Sequence, residues 1–147
     1  RMYTNLQQVT TLLVSGDIVL VDGNVNYDGG IFLSIPGTAA NPITIKGVTV
    51  NGNRPILTGG VYGINISNAH FNIIDGIVIT ATTKAGIGHF ADQIIIRNCV
   101  YRDNLKDCII GYGQFSGSLT LEYSELYHNG ESTLSPNAHQ FIWPQTK

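Results

Sequence analysis

The sequence predicts an all-β solenoid with three strands per coil, and three observations carry that prediction. The stretches "NIIDGIVIT" (72–80), "IIIRNCVYR" (94–102) and "LTLEYSELYH" (119–128) repeat one pattern: an alternating apolar run, a small or turn-forming residue, and a second alternating run. Extended upstream, the pattern gives five copies at intervals of 25, 29, 22 and 25 residues, the period of a stacked repeat. The composition agrees, with 43% apolar residues, 17 glycines and only 12% charged residues. Such a chain is too apolar for disorder and lacks the Glu, Lys, Leu and Ala of a helix bundle.

The N-terminus reads differently from the rest. In "TNLQQVTTLLVSGD", Leu6, Val9 and Leu13 fall at helical spacing, Thr4 or Asn5 is placed as an N-cap, and Gly16 as a stop. A short amphipathic helix over residues 5–14 is therefore expected to cover the first coil, since a bare solenoid end exposes core and sheet edge. The coils then occupy residues 15–147, and the whole chain, 1–147, is expected to form one domain.

Four columns run through the five copies. The first holds Ile18, Ile43, Asn72, Ile94 and Leu119, and the second, uniformly aliphatic, holds Leu20, Ile45, Ile74, Ile96 and Leu121. Coils stacked at the sheet spacing of about 4.8 Å place such residues one above another, so an aliphatic column becomes a continuous core. The third column, Asp22, Gly47, Gly76, Asn98 and Tyr123, suits a bend at positive φ in four copies, with Ser124 expected to take the bend in the fifth. The fourth, Asp28, Asn53, Thr82, Asn104 and Asn129, is short and polar and suits a second corner. In the second copy, Ile56 and Leu57 compete with Val48 and Val50 for the strand.

A third strand family fits between copies: "GINIS" (63–67), "AGIGHF" (85–90), "DCIIGY" (107–112) and "HQFIW" (139–143), with Ile64, Ile87 and Ile109 in step. Three strand families per coil make a triangular prism. No cap signal follows "FIWPQTK", so either further coils or another chain is expected at that end.

Net charge is −2 with no basic run, which argues against a nucleic-acid partner. No apolar window reaches the roughly 18 to 20 residues of a membrane span. Cys99 and Cys108 have neither metal nor redox spacing; two buried free thiols or a small disulfide loop both fit.

The run "SGDIVLVDGNVNYDGGIFLSIPGTAANPITIKG" (15–47), continued by "PILTGG" and "FNIIDGIVIT", resembles the first coils of right-handed parallel β-helix proteins of the pectate-lyase-like superfamily, most of all the chondroitinase B and alginate lyase family. "HNGESTLSPNAHQFIW" is similar to a step common in such repeats. The resemblance implies a right-handed parallel β-helix, here of five to six coils, and a polysaccharide partner. It further implies lyase-type β-elimination on uronates, an extracellular or periplasmic location, and calcium as the cofactor to look for. That family's calcium carboxylates and basic catalytic residues lie on coils beyond this chain, so no catalytic residue transfers. No acidic cluster promising for calcium occurs.

From the residues themselves, a glycan groove is sought on the third strand family. Lys84, Lys106, Asp107 and His139 fall near one corner, with His89 and Tyr112 one strand along; these six are the candidate substrate-binding residues. Lys, His and Tyr are the types a uronate lyase uses to neutralise a carboxylate and move a proton. A solvated corner that merely collects Lys and Asp is the plainer account. His128 and Glu131 in the longest connection are a second, weaker pair, and Arg97, Arg102 and Asp103 are expected to form local ion pairs. Tyr101, in step with Ile79 and Leu126, is expected in the core. Two functions follow: a lyase-like protein whose active site lies outside this chain or is lost, or a non-catalytic structural or adhesive solenoid that self-associates.

Overall fold

A computed structural model describes residues 3–111 and 118–130. Tyr112, Glu131, His139 and the "HQFIW" strand lie outside the described residues. After a short helix α1 (Leu6–Thr10), the chain winds through β1 (Ile18–Asp22), β2 (Asn26–Asp28), β3 (Ile31–Leu33), β4 (Ile43–Val48), β5 (Ile56–Thr58), β6 (Tyr62–Ser67) and β7 (Asn72–Asp75). It continues through β8 (Val78–Thr80), β9 (Ala85–Phe90), β10 (Ile94–Arg97), β11 (Val100–Arg102), β12 (Asp107–Gly111), β13 (Leu119–Glu122) and β14 (Glu125–Tyr127). Every third strand pairs in parallel, giving a first sheet β1-β4-β7-β10-β13, a second β2-β5-β8-β11-β14 and a third β3-β6-β9-β12. The architecture is a parallel β-helix of three strands per coil, with four full coils and two strands of a fifth among the described residues.

The core is the set of inward columns. Ile45, Ile74, Ile96 and Leu121 are in register in the first sheet, Tyr27, Leu57, Ile79, Tyr101 and Leu126 in the second, and Ile31, Ile64, Ile87 and Ile109 in the third. Each isoleucine sealed inside contributes roughly 1.5–3 kcal/mol. Asn72 belongs to the expected isoleucine column and is fully buried there; its amide donates to the carbonyls of Ala69 at 2.8 Å, Ile35 at 3.1 Å and His70 at 3.1 Å, which braces the corner between the third and first sheets.

Four expectations are corrected. In the first coil the register is one residue off: Val19, not Leu20, pairs with Ile45, so Val19 and Val21 turn inward while Ile18 and Leu20 are 65% and 66% exposed. A slip of one residue reverses every side chain in a strand. "IVLV" is apolar on both faces, so alternation there selects neither.

Second, Tyr123 does not break the bend column; it takes the bend itself at φ 47°, level with Asn98 at 52° and Gly76 at 74°. Gly47 serves a different need, close approach: a Cβ on it would lie 2.2 Å from the Gly76 carbonyl oxygen. Third, Asp28 and Asn53 are not in the polar column. Asp28 pairs with Thr58, and Asn53 closes a turn with Val50 through reciprocal backbone bonds of 2.9 Å, leaving Ile56–Thr58 as the strand. Fourth, α1 ends at Thr10, short of residue 14, although Leu13 beyond it is still buried. Asn5 is the N-cap, its side chain accepting from the Gln7 and Gln8 amides.

The helix closes part of the end in a specific way. Strand β3 is the edge of the third sheet, and its Phe32 amide donates to Gln7 Oε1 at 2.6 Å while Gln7 Nε2 donates to the Phe32 carbonyl at 3.4 Å. A side-chain amide thus replaces the neighbouring strand.

Candidate functional site

Outward columns carry whatever the fold presents to a ligand. On the first sheet, Lys46, Asp75, Arg97 and Glu122 lie in register on successive coils, an alternation of charge written by one position per repeat. Asp75 is 8% exposed and accepts from Arg97 Nε at 3.0 Å and from Asn98 Nδ2 at 2.9 Å. Burial pushes its carboxyl up. The Asn98 and Arg97 donors, with the charges of Arg97 and Lys46, outweigh that and hold it below the usual carboxylate range.

A fourth group arrives from elsewhere. Arg54, beyond the turn that follows β4, reaches Asn98 and donates from Nη1 to its carbonyl at 2.8 Å. Lys46 and Arg97 therefore act on the Asp75 carboxylate, and Arg54 joins them through Asn98; these are three of the eight basic residues of a chain whose net charge is −2. With Asp75 held ionised, the cluster keeps an excess of positive charge. It presents guanidinium groups, which suit bidentate contact with carboxylates.

Of the six candidate residues of the third strand family, Tyr112 and His139 lie outside the described residues and the other four separate. Lys84, at the entry to β9, and Lys106 stack on successive coils, as the Asp107–Ala85 register and the bond from the Asp107 amide to the Lys84 carbonyl (3.0 Å) require. The Lys84 ammonium lies 5.4 Å from the Tyr62 ring centroid. His89 is placed otherwise: it pairs with the core residue Ile66, faces the interior and is 8% exposed. Burial pushes its imidazole below the usual range, against an upward pull from the Asp92 charge and the Ala91 carbonyl, and its Nε2 has no hydrogen-bond partner. His89 thus does not join Lys84, Lys106 and Asp107 at one surface.

His128 lies 3.8 Å from an Asp103 carboxylate oxygen, and Arg102 binds the other at 2.6 Å. Cys99 and Cys108 are free and buried. Burial raises both thiols, Cys108 to about 12, so neither is a nucleophile near neutral pH. Among the described residues no group of three His, Cys, Asp or Glu side chains is arranged to hold a metal. No helix among them is long and apolar enough to cross a membrane.

The cluster on the first sheet escaped a reading that sought chemistry near the third strand family. Its signal was present in the repeat itself: a charged residue one place beyond the aliphatic column in Lys46, Asp75, Arg97 and Glu122. Arg54 carried no such signal, because only the coil stacking brings it to Asn98.

These features define a solenoid of the parallel β-helix class whose first sheet carries a ladder of alternating charges joined by Arg54. Its fold is shared with a crystal structure of alginate lyase from Paenibacillus sp. str. FPU-7, at a TM-score of 0.70 and 20% sequence identity over 85% of this chain and 42% of that one. The chain thus spans less than half of the lyase it matches. No protein-family model matches the sequence, and no curated protein matches it.

Proposed function

We propose that this chain is the β-helical part of a secreted or periplasmic protein that acts on acidic polysaccharides in the manner of a lyase. The observation that carries the reading is the grouping of Lys46 and Arg97 about the buried Asp75, with Arg54 bound to the adjacent Asn98, within a fold shared with an alginate lyase. A uronate lyase passes the C5 proton to a base, forms the C4–C5 double bond and expels the C4 oxygen, which takes up a proton. Cations that neutralise the uronate carboxylate favour the first step by stabilising the charge that develops there. The cluster supplies that neutralising and binding function, with Asp75 fixing the Arg97 side chain; the base lies elsewhere.

The test is affinity electrophoresis through gels containing alginate, pectate or a neutral glucan, alongside an ultraviolet assay for unsaturated product. Retardation by an acidic glycan that is lost in the double variant Lys46→Ala, Arg97→Ala supports the reading. Equal migration of variant and parent in every acidic gel overturns it. Retardation without any unsaturated product moves the chain to the second reading, a non-catalytic adhesive solenoid on the same face.

A further inference from the structure

The first coil differs in charge from the coils stacked on it, although Leu20 neighbours Lys46 in the ladder. Residues 3–42 contain Asp17, Asp22 and Asp28 and no Lys, Arg, His or Glu, a formal charge of −3, whereas residues 43–130 carry six basic and six acidic side chains. The acidity of the described chain is therefore concentrated at this end.

Strand β1 ends the order of the first sheet, so one of its edges is unpaired among the described residues. The bonds from the Thr44 amide to the Asp17 carbonyl and from the Gly23 amide to the Val48 carbonyl, both 2.9 Å, fix which residues face β4. These are the odd-numbered ones. The amides and carbonyls of Ile18, Leu20 and Asp22 therefore point to the open edge. The Asp22 amide is already taken, donating to the Tyr27 hydroxyl at 3.1 Å. The third sheet's edge is sealed by Gln7. What remains is the polar end strand β2 and a short segment of β1, where the apolar side chains of Ile18 and Leu20 stand outward and Val14, 63% exposed, lies close through the bond from its amide to Asp17.

We propose that this edge binds an extended protein segment by strand addition, one with alternating apolar residues flanked by lysine or arginine. Backbone bonds to Ile18 and Leu20 provide the pairing, and the apolar column provides side-chain contact. Charge selects the occupant: a basic flank meets Asp17 and Asp22, while a second copy of this coil brings −3 against −3.

The probe is a fluorescein-labelled peptide of alternating valine and threonine with paired lysines at each end, followed by fluorescence anisotropy and amide hydrogen exchange. Saturable binding, slowed exchange at Ile18 and Leu20, and weakening with added salt are expected. Leu20→Pro removes the open-edge donor and leaves the bonds to β4 intact, so binding should fall about tenfold, the worth of one good hydrogen bond. The double variant Ile18→Thr, Leu20→Thr keeps the backbone and reads the apolar contact if the proline variant does not fold. The proposal is overturned if the lysine peptide does not bind, if a glutamate-flanked peptide binds equally, or if both variants bind like the parent. It is overturned as well by a dimer that forms without peptide and protects the same two amides, which would assign the edge to a second copy.

Discussion

Asn104 Nδ2 donates to Asn129 Oδ1 at 2.8 Å inside the prism, joining two corners 25 residues apart in sequence. The same Asn129 oxygen accepts the Asn104 amide at 3.1 Å, and Asn104 Oδ1 in turn accepts from the Thr82 hydroxyl at 2.8 Å and the Thr82 amide at 3.1 Å. All three side chains are buried. Stacked coils place one polar side chain above the next, so each satisfies the backbone of its neighbour.

Replacing Asn104 by leucine leaves the buried Thr82 amide and hydroxyl without their acceptor, while the Asn129 oxygen keeps only the backbone amide of residue 104. A loss of about 2–4 kcal/mol is expected in urea unfolding, against about 1 kcal/mol for Thr82→Val, which removes a donor but strands less. Equal losses for the two would contradict the ladder as the structure draws it.

Tyr101 is fully buried and its hydroxyl has no hydrogen-bond partner; burial drives its ionisation well above the usual phenol range. The neighbouring Cys99 thiol, a weak donor, donates instead to the Arg97 carbonyl at 3.2 Å. Tyr101→Phe is expected to stabilise the fold by about 1 kcal/mol, because an unsatisfied hydroxyl is exchanged for hydrogen in a ring of nearly the same shape. A fall in the unfolding midpoint would show that the hydroxyl is satisfied in solution.

His89 sets a pH dependence. Its imidazole is held below the usual range by burial, so the unfolded chain takes up the proton first. The stability it contributes is complete above the ordinary imidazole value of about 6.5 and is lost as pH falls below it. Urea midpoints should decline between neutral pH and about pH 5 in the parent, with a shallower slope in His89→Leu. Asp75 acts separately: its lowered carboxyl gives stability that disappears only below the ordinary carboxylate range. Parallel slopes for parent and His89→Leu would remove His89 from the account.

The columns that were legible in advance are those where one face is apolar and the other polar. "NIIDGIVIT" and "IIIRNCVYR" hold their register because Asp75 and Arg97 cannot turn inward, and the third family holds through Ile64, Ile87 and Ile109. "IVLV" carries no such constraint, and its face is decided by the coil beneath it. "GGIFLS", which supplies β3, was missed because three residues are too few for alternation to register. The bend at Tyr123 was hidden by residue type, since an aromatic side chain advertises nothing about positive φ; the partner coil imposes it through the bond from the Asn98 amide to the Glu122 carbonyl at 3.1 Å. His89 was taken for a surface residue because its type suggested solvent, while its two-residue offset from Ile87 already placed it inside.

The Gln7 carboxamide that meets Phe32 has a bearing on how such a molecule changes length. A strand used as a lid must match the coil below it along several residues, whereas one amide needs only a single exposed peptide group in the right place. Different first coils could therefore sit under the same five-residue helix without a compensating change in it. Gain or loss of whole turns behind the first coil then leaves the contact between Gln7 and Phe32 unchanged.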